Sequence, residues 1–149
     1  MNLTAGARSH VLLVEQDGSI RDLFSTLLTT HGYSVSTAGG GEEALEQAAL
    51  RPPHAVFSSL VFSDMDGFEL CRRLRSQAPS SPGLVVALTG YSESGIREKV
   101  LQAGFDSYLL KPVSVHTLLE LLASHRPASG SPGSVGARTA SNDSSLASA

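Results

Sequence analysis

The sequence predicts an α/β fold, namely a doubly wound, five-stranded parallel sheet with five helices on its two faces. Three observations support this fold class. Short apolar runs alternate with amphipathic segments five times, most of these runs are nearly continuous, and turn residues separate the elements. Continuous apolar runs are typical of strands covered on both faces, and alternating strands and helices are joined by right-handed crossovers.

The first half of the chain contains three predicted strands, at residues 10–15 (HVLLVE), 33–38 (YSVSTA) and 55–59 (AVFSS). Asp17 or Ser19 is expected to cap the helix after the first strand, and this helix ends before Gly32. The second strand alternates apolar and polar residues, which indicates a half-covered strand at a sheet edge. Three glycines at 39–41 predict a turn before the second helix, which ends near Leu50, ahead of two prolines.

The second half contains two more strands and three helices. Asp66 is expected to cap the third helix, which has the sequence GFELCRRLR. The fourth strand is predicted at residues 83–89 and the fourth helix at 92–103, closed by Gly104. The remaining elements are a short strand at 107–110 and a helix at 114–124 with one apolar face.

Composition divides the 149 residues into a short extension at 1–8, one domain at 9–126 and a Ser/Gly/Ala-rich tail at 127–149, which we expect to be disordered. The net charge of −3 argues against direct nucleic-acid binding, and we expect no membrane association. The N-terminus lacks the apolar centre of a signal peptide, which predicts a cytoplasmic location. The single cysteine, Cys71, excludes an internal disulfide and is expected to be a buried helix residue.

Polar side chains follow four of the five predicted strands. Ligands of open parallel sheets bind outside the carboxyl ends of the strands, so these side chains are expected to meet in one cleft. They are Glu15, Gln16 and Asp17 after the first strand, Ser58 and Ser59 at the end of the third, Thr89 after the fourth and Lys111 after the fifth.

Four motifs in this order, VLLVEQD, MDGFELCRRLR, VVALTGYS and AGFDSYLLKPV, resemble the response-regulator receiver domain of two-component signalling. The resemblance covers residues 9–126. It implies a flavodoxin-like fold with strand order 2-1-3-4-5. It also implies a phosphorelay in which an aspartate at the end of the third strand takes a phosphoryl group from a histidine kinase. Two acidic residues after the first strand would hold Mg²⁺, a hard cation that binds oxygen ligands.

Compared with that family pattern, the phosphoryl-accepting half of this chain is altered. Glu15 matches the first acidic position, but Gln16 stands at the second. Counted back from the MDG motif, the acceptor position is Ser59. We therefore expect no cofactor, with Mg²⁺ binding that is weak or absent and that uses Glu15 if it occurs. Asp64, in the loop, is a less favoured substitute acceptor.

The phosphoryl-sensing half matches the pattern. Thr89 and Lys111 stand where the family contacts phosphoryl oxygens, and Tyr108 stands where the family has a switching aromatic residue. Without an acceptor aspartate, Lys111 is expected to pair with Glu15, which would replace a switchable contact with a permanent one.

The resemblance implies a degenerate receiver that is not an enzyme. It would act as a phosphorylation-independent interaction module, binding a histidine kinase, regulator or output protein through the face around Tyr108. The alternative is a regulator that still responds, through an unusual acceptor or a bound ligand. An enzyme on a flavodoxin-like fold is disfavoured, because no nucleophile–base pair and no phosphate-binding glycine loop is present.

Overall fold

The computed structural model of the protein describes residues 9–77, 81–90 and 95–125. Five parallel strands form one sheet in the order β2-β1-β3-β4-β5, and five helices connect and follow them, as the sequence predicts. The elements are β1 (His10–Val14), α1 (Gly18–Thr30), β2 (Ser34–Ala38), α2 (Gly41–Leu50), β3 (Ala55–Ser59), α3 (Gly67–Ser76), β4 (Leu84–Thr89), α4 (Ile96–Ala103), β5 (Ser107–Leu110) and α5 (Val115–Ser124).

Side-chain caps explain where three of the helices begin. Asp17 accepts hydrogen bonds from the backbone N–H groups of Ser19 and Ile20 at the start of α1. Asp66 accepts from the N–H of Glu69 in α3, and Ser114 accepts from the N–H of Thr117 in α5. Each cap satisfies an N–H group that has no partner within its helix.

The sheet separates two hydrophobic cores. Buried residues of α2, α3 and α4 pack on one face around Val56, Val85 and Leu70. Buried residues of α1 and α5 pack on the other face around Phe57, Val86 and Leu118. The three central strands are buried along their whole length, whereas β2 is mostly half-buried, as expected for an edge strand.

The observed boundaries differ from the predicted ones at several strand and helix ends. The first strand ends at Val14, one residue early, although the N–H of Glu15 still pairs with the carbonyl of Ala38. The fourth helix begins at Ile96, because Gly95 has a left-handed backbone (φ 92°) that a helix cannot include. The rest of its predicted start lies outside the described residues, as do the extension at 1–8 and the tail at 127–149.

His10 is a buried histidine at the start of β1, at the end of the sheet opposite the candidate site. Its two ring nitrogens form hydrogen bonds with the hydroxyls of Ser34 (2.9 Å) and Ser36 (2.7 Å) on the neighbouring strand. Burial and, to a smaller extent, the charges of Arg51 and His54 lower its pKa from 6.5 to about 4. The fold therefore favours the neutral ring.

This pKa predicts a loss of stability in mild acid. Between pH 6.5 and about 4, the unfolded chain binds a proton at His10 that the folded protein does not. The free energy of unfolding is thus unaffected by His10 titration above pH 6.5, and it falls as the pH drops from 6.5 toward 4. The wild-type protein should therefore be less stable at pH 4.5 than at pH 7. We expect His10→Gln to reduce this difference by about 2 kcal/mol, measured by urea unfolding. His116→Gln should change the difference far less, because the contact of His116 with Glu120 on α5 is exposed to solvent. An equal effect of both variants would contradict the assignment.

Candidate functional site

The carboxyl ends of three strands bring together a glutamate, a serine and a lysine. Glu15 follows β1, Ser59 is the last residue of β3 and Lys111 follows β5. The Ser59 hydroxyl donates to Oε1 of Glu15 at 2.7 Å, and Nζ of Lys111 lies 3.1 Å from both that oxygen and the Ser59 hydroxyl. We call Glu15, Ser59 and Lys111 the polar triangle.

The polar triangle holds Glu15 in its ionised form. The Glu15 side chain is only 7% exposed, and burial by itself would raise its pKa. Hydrogen bonds from the Ser59 hydroxyl, the N–H of Asp17 and the ammonium of Lys111, together with the Lys111 charge, outweigh burial and set the pKa below 4.5. Both carboxylate oxygens are thus engaged by donors within the protein.

Gln16 lies outside the polar triangle. It is exposed, and within the described part of the chain its side chain makes no hydrogen bond. The guanidinium of Arg21 contacts the backbone at this point, donating to the carbonyl of Glu15 at 2.8 Å and to that of Gln16 at 3.5 Å. The carboxylate of Asp17 is engaged in capping α1. Among the described residues, no three His, Cys, Asp or Glu side chains gather into a group that could hold a metal ion.

Thr89 and Tyr108 lie on the neighbouring strands at the same end of the sheet. Thr89 is buried, and its carbonyl accepts a hydrogen bond from the N–H of Lys111 at 2.8 Å, which ties the end of β4 to the residue after β5. Tyr108 pairs in register with Ala87, two residues before Thr89, so Thr89 and Tyr108 share one face of the sheet. Tyr108 is half-buried and packs against the core beneath α2, α3 and α4.

The loop after β3 uses its two aspartates as helix caps. Asp66 caps α3 as the sequence predicts. Asp64 accepts hydrogen bonds from the N–H groups of Gly41 (3.0 Å) and Glu42 (2.9 Å), so it caps α2, which begins 23 residues earlier. These bonds lower the pKa of Asp64. Because Asp64 is occupied at α2, its placement does not support the less favoured prediction that it is a substitute acceptor.

Gly67 fixes the distance between this loop and the end of β3. A Cβ atom at Gly67 would lie 2.6 Å from the carbonyl oxygen of Ser59 and 2.7 Å from Cα of Leu60. The N–H of Gly67 also donates to the carbonyl of Leu60 at 2.8 Å. The loop therefore closes tightly around Ser59, which is 3% exposed.

Other reactive side chains lie away from the polar triangle. His10, at the opposite end of β1, is engaged with two serines of β2. Cys71 is buried in α3, as predicted, and burial raises the pKa of its thiol to about 11, which keeps it unreactive. No helix in the described ranges is long and apolar enough to cross a bilayer.

Comparisons with known proteins agree with this architecture. Relatives include a 14.6 kDa uncharacterized protein of Leptolyngbya boryana, which is 34% identical over 78% of this chain and 88% of its own length. The response regulator MprA of Mycobacterium leprae is 38% identical over 73% of this chain, but the match spans only 47% of MprA. This chain thus corresponds to about half the length of that relative.

Solved structures show the same fold. Chemotaxis response regulator CheY4 of Vibrio cholerae superposes with a TM-score of 0.72 at 30% identity, covering 77% of this chain and 96% of its own. The receiver domain of yeast Ssk1, solved with the phosphotransfer protein Ypd1, gives a TM-score of 0.70 at 27% identity over 78% of this chain and 87% of its own. The sequence pattern of the response regulator receiver domain matches residues 11–123. The chain therefore belongs to the response regulator receiver domain family, whose members are signalling modules.

Proposed function

We propose that this receiver domain signals as an interaction module that is not switched by phosphorylation. The observation that carries the proposal is the polar triangle, in which a serine stands at the end of β3 and its hydroxyl is held by Glu15 and Lys111. This makes it a degenerate receiver, with Ser59 at the acceptor position that the family resemblance implies.

Ser59 is a poor replacement for an aspartate nucleophile. A carboxylate is anionic at neutral pH, whereas a serine hydroxyl reacts only when a base takes its proton. Glu15 accepts the hydroxyl hydrogen, but its lowered pKa makes it a weak base. The hydroxyl is also buried beneath the loop that Gly67 closes, so a phosphodonor has little access to it.

The residues present do not fit a receiver Mg²⁺ site. Mg²⁺ requires near-octahedral oxygen coordination, with anionic ligands preferred. Glu15 is neutralised by Lys111, Gln16 offers only a neutral oxygen, and Asp17 is engaged as a helix cap. We therefore propose that Mg²⁺ binds weakly or not at all.

The surface that this domain presents is proposed to be constant and centred on Tyr108. A permanent Glu15–Lys111 ion pair supports one arrangement of the strand ends, with Lys111 bonded through its backbone to Thr89. Tyr108 is half-buried on the same sheet face as Thr89, and it would then keep one side-chain conformation, because no phosphoryl group forms to change it. The complex of Ssk1 with Ypd1 shows one kind of signalling partner that a receiver domain binds, and we propose a kinase, regulator or output protein here.

Titration followed by two-dimensional NMR separates this proposal from a responsive regulator. Mg²⁺ is added first and then beryllium trifluoride, an analogue of a phosphoryl group. We expect the amide signals of Thr89, Tyr108 and Lys111 to stay unshifted at millimolar concentrations. Saturable shifts at these three residues would contradict the proposal and support the responsive alternative.

Substitution of Tyr108 tests the proposed partner face. We expect Tyr108→Ala to lose a partner that the wild-type domain captures from a lysate of its source, whether or not the domain is treated with a phosphodonor. Tyr33→Ala is the matched control, because Tyr33 is also half-buried but packs on the opposite core. Retention of the same partner by Tyr108→Ala, or its loss from both variants, would place the working surface elsewhere.

A further inference from the structure

A cavity of about 390 Å³ opens beside the polar triangle, between α1 and the segment that joins β5 to α5. Leu13 of β1 and Leu88 of β4 contribute from the sheet, Phe24 from α1 and Val113 from the connecting segment. Glu15 and Lys111 are its only charged lining residues within the described part of the chain. This volume and this mainly apolar lining are typical of small-molecule sites.

The mouth of the cavity exposes apolar surface on α1. Ile20 and Leu23 line the opening and are 38% and 54% exposed, while the other apolar residues of α1 that line the cavity or pack on the core are better covered. Asp17 fixes the start of α1 just before them. A molecule in the cavity would remove part of this apolar surface from water, which favours binding.

The polar end of the cavity defines the chemistry of the ligand. A lysine ammonium has three donors, and two of those of Lys111 go to Glu15 and Ser59. The Lys111 side chain is 36% exposed but that of Glu15 only 7%, so the reachable group is a hydrogen-bond donor. Lys111 is already paired with Glu15, so a charged ligand would lose its hydration in a mainly apolar cavity without gaining a full countercharge.

We propose that the cavity binds a small, uncharged, mainly apolar molecule that has one hydrogen-bond acceptor, with the acceptor on Lys111 and the apolar part against Leu13, Phe24, Leu88 and Val113. The inference does not rest on the proposed independence from phosphorylation, because binding in the cavity and modification of Ser59 are separate events. It gives the ligand-responsive alternative a specific site.

The test uses 4-phenylbutan-2-one, a neutral ketone, titrated into the folded protein and followed by two-dimensional NMR. We expect saturable shifts at Leu13, Phe24, Leu88 and Val113 with a Kd below about 1 mM, as is reasonable for a ligand of about eleven non-hydrogen atoms. The charged analogue 4-phenylbutanoate should bind at least about tenfold more weakly, because its carboxylate must be desolvated.

Two tryptophan substitutions, one in the cavity and one outside it, test where the ketone binds. Val113→Trp fills the cavity and should weaken ketone binding at least about tenfold, whereas Leu101→Trp, at an exposed position on α4, should not change it. Thermal unfolding verifies that both variants are folded. Absence of saturable shifts in the wild type, equal affinity in Val113→Trp, or tighter binding of the carboxylate than of the ketone would each overturn the proposal.

Discussion

Replacing Lys111 with methionine is expected to lower the free energy of unfolding by about 2–3 kcal/mol at pH 7. The substitution keeps an unbranched side chain of nearly the same length but removes the ammonium that neutralises Glu15. Glu15 would then be a buried carboxylate supported only by the Ser59 hydroxyl and the N–H of Asp17. The expected loss lies below that of a fully buried pair, because water reaches Lys111.

The pH dependence of this loss tests its cause. In the wild type, the pKa of Glu15 lies below 4.5, so its ionised form stabilises the fold above pH 4.5, and this stabilisation is lost as the pH falls through the folded pKa. Without Lys111 the pKa of Glu15 rises. The stability difference between wild type and Lys111→Met should therefore be largest near pH 7 and shrink below pH 4.5.

Lys99→Met is the matched control, because Lys99 is an exposed lysine on α4. We expect it to change stability by at most about 0.5 kcal/mol at any pH. Urea unfolding at several pH values provides all three curves. A Lys111→Met loss no larger than that of Lys99→Met would show that the ion pair contributes nothing to the fold.

Placing aspartates at positions 16 and 59 is expected to allow Mg²⁺-dependent phosphorylation. Gln16→Asp with Ser59→Asp places a second carboxylate beside buried Glu15, where Ser59 now donates a hydrogen bond to it. Without metal we expect a loss of about 2–4 kcal/mol, because like charges cannot share a buried site unless one is neutralised. Mg²⁺ at one hundred times its Kd would return about 2.7 kcal/mol, and partial Mg²⁺-dependent phosphorylation should follow.

Gln16→Asp with Ser58→Asp is the control for the restored variant. Ser58 is as buried as Ser59, but its hydroxyl donates to the backbone of Ser59 and not to Glu15. We expect this variant to lose stability without recovering it in Mg²⁺ and to take up no phosphoryl group. Equal recovery of both variants in Mg²⁺ would mean that the end of β3 does not define the site.

The polar triangle was predictable because strand ends are readable in this sequence. Continuous apolar runs locate β1 and β3, and the lysine before a proline locates the end of β5, so the meeting of Glu15 and Lys111 follows from parallel topology. The sequence alone does not predict the hydrogen bond from Ser59 to Glu15. It depends on the register of neighbouring strands, which pairs Val14 with Ser58 and places Ser59 alongside Glu15.

Contacts between distant segments were harder to predict. Asp64 has the local pattern of a loop residue, and nothing within several positions of it indicates that it caps α2. The cavity beside Lys111 likewise depends on how closely α1 approaches the segment after β5, which periodicity does not determine. The late start of α4, after Gly95, was also missed, because a single glycine in a helical pattern is a weak signal.

The most direct test of the account is the intact mass of the wild-type protein after incubation with acetyl phosphate and Mg²⁺. The polar triangle has no anionic nucleophile at the end of β3, so we predict an unchanged mass under conditions that modify the variant with both acids restored. An acid-labile adduct on any aspartate, or an acid-stable adduct on Ser59, would contradict the central claim that this receiver is not switched by phosphorylation.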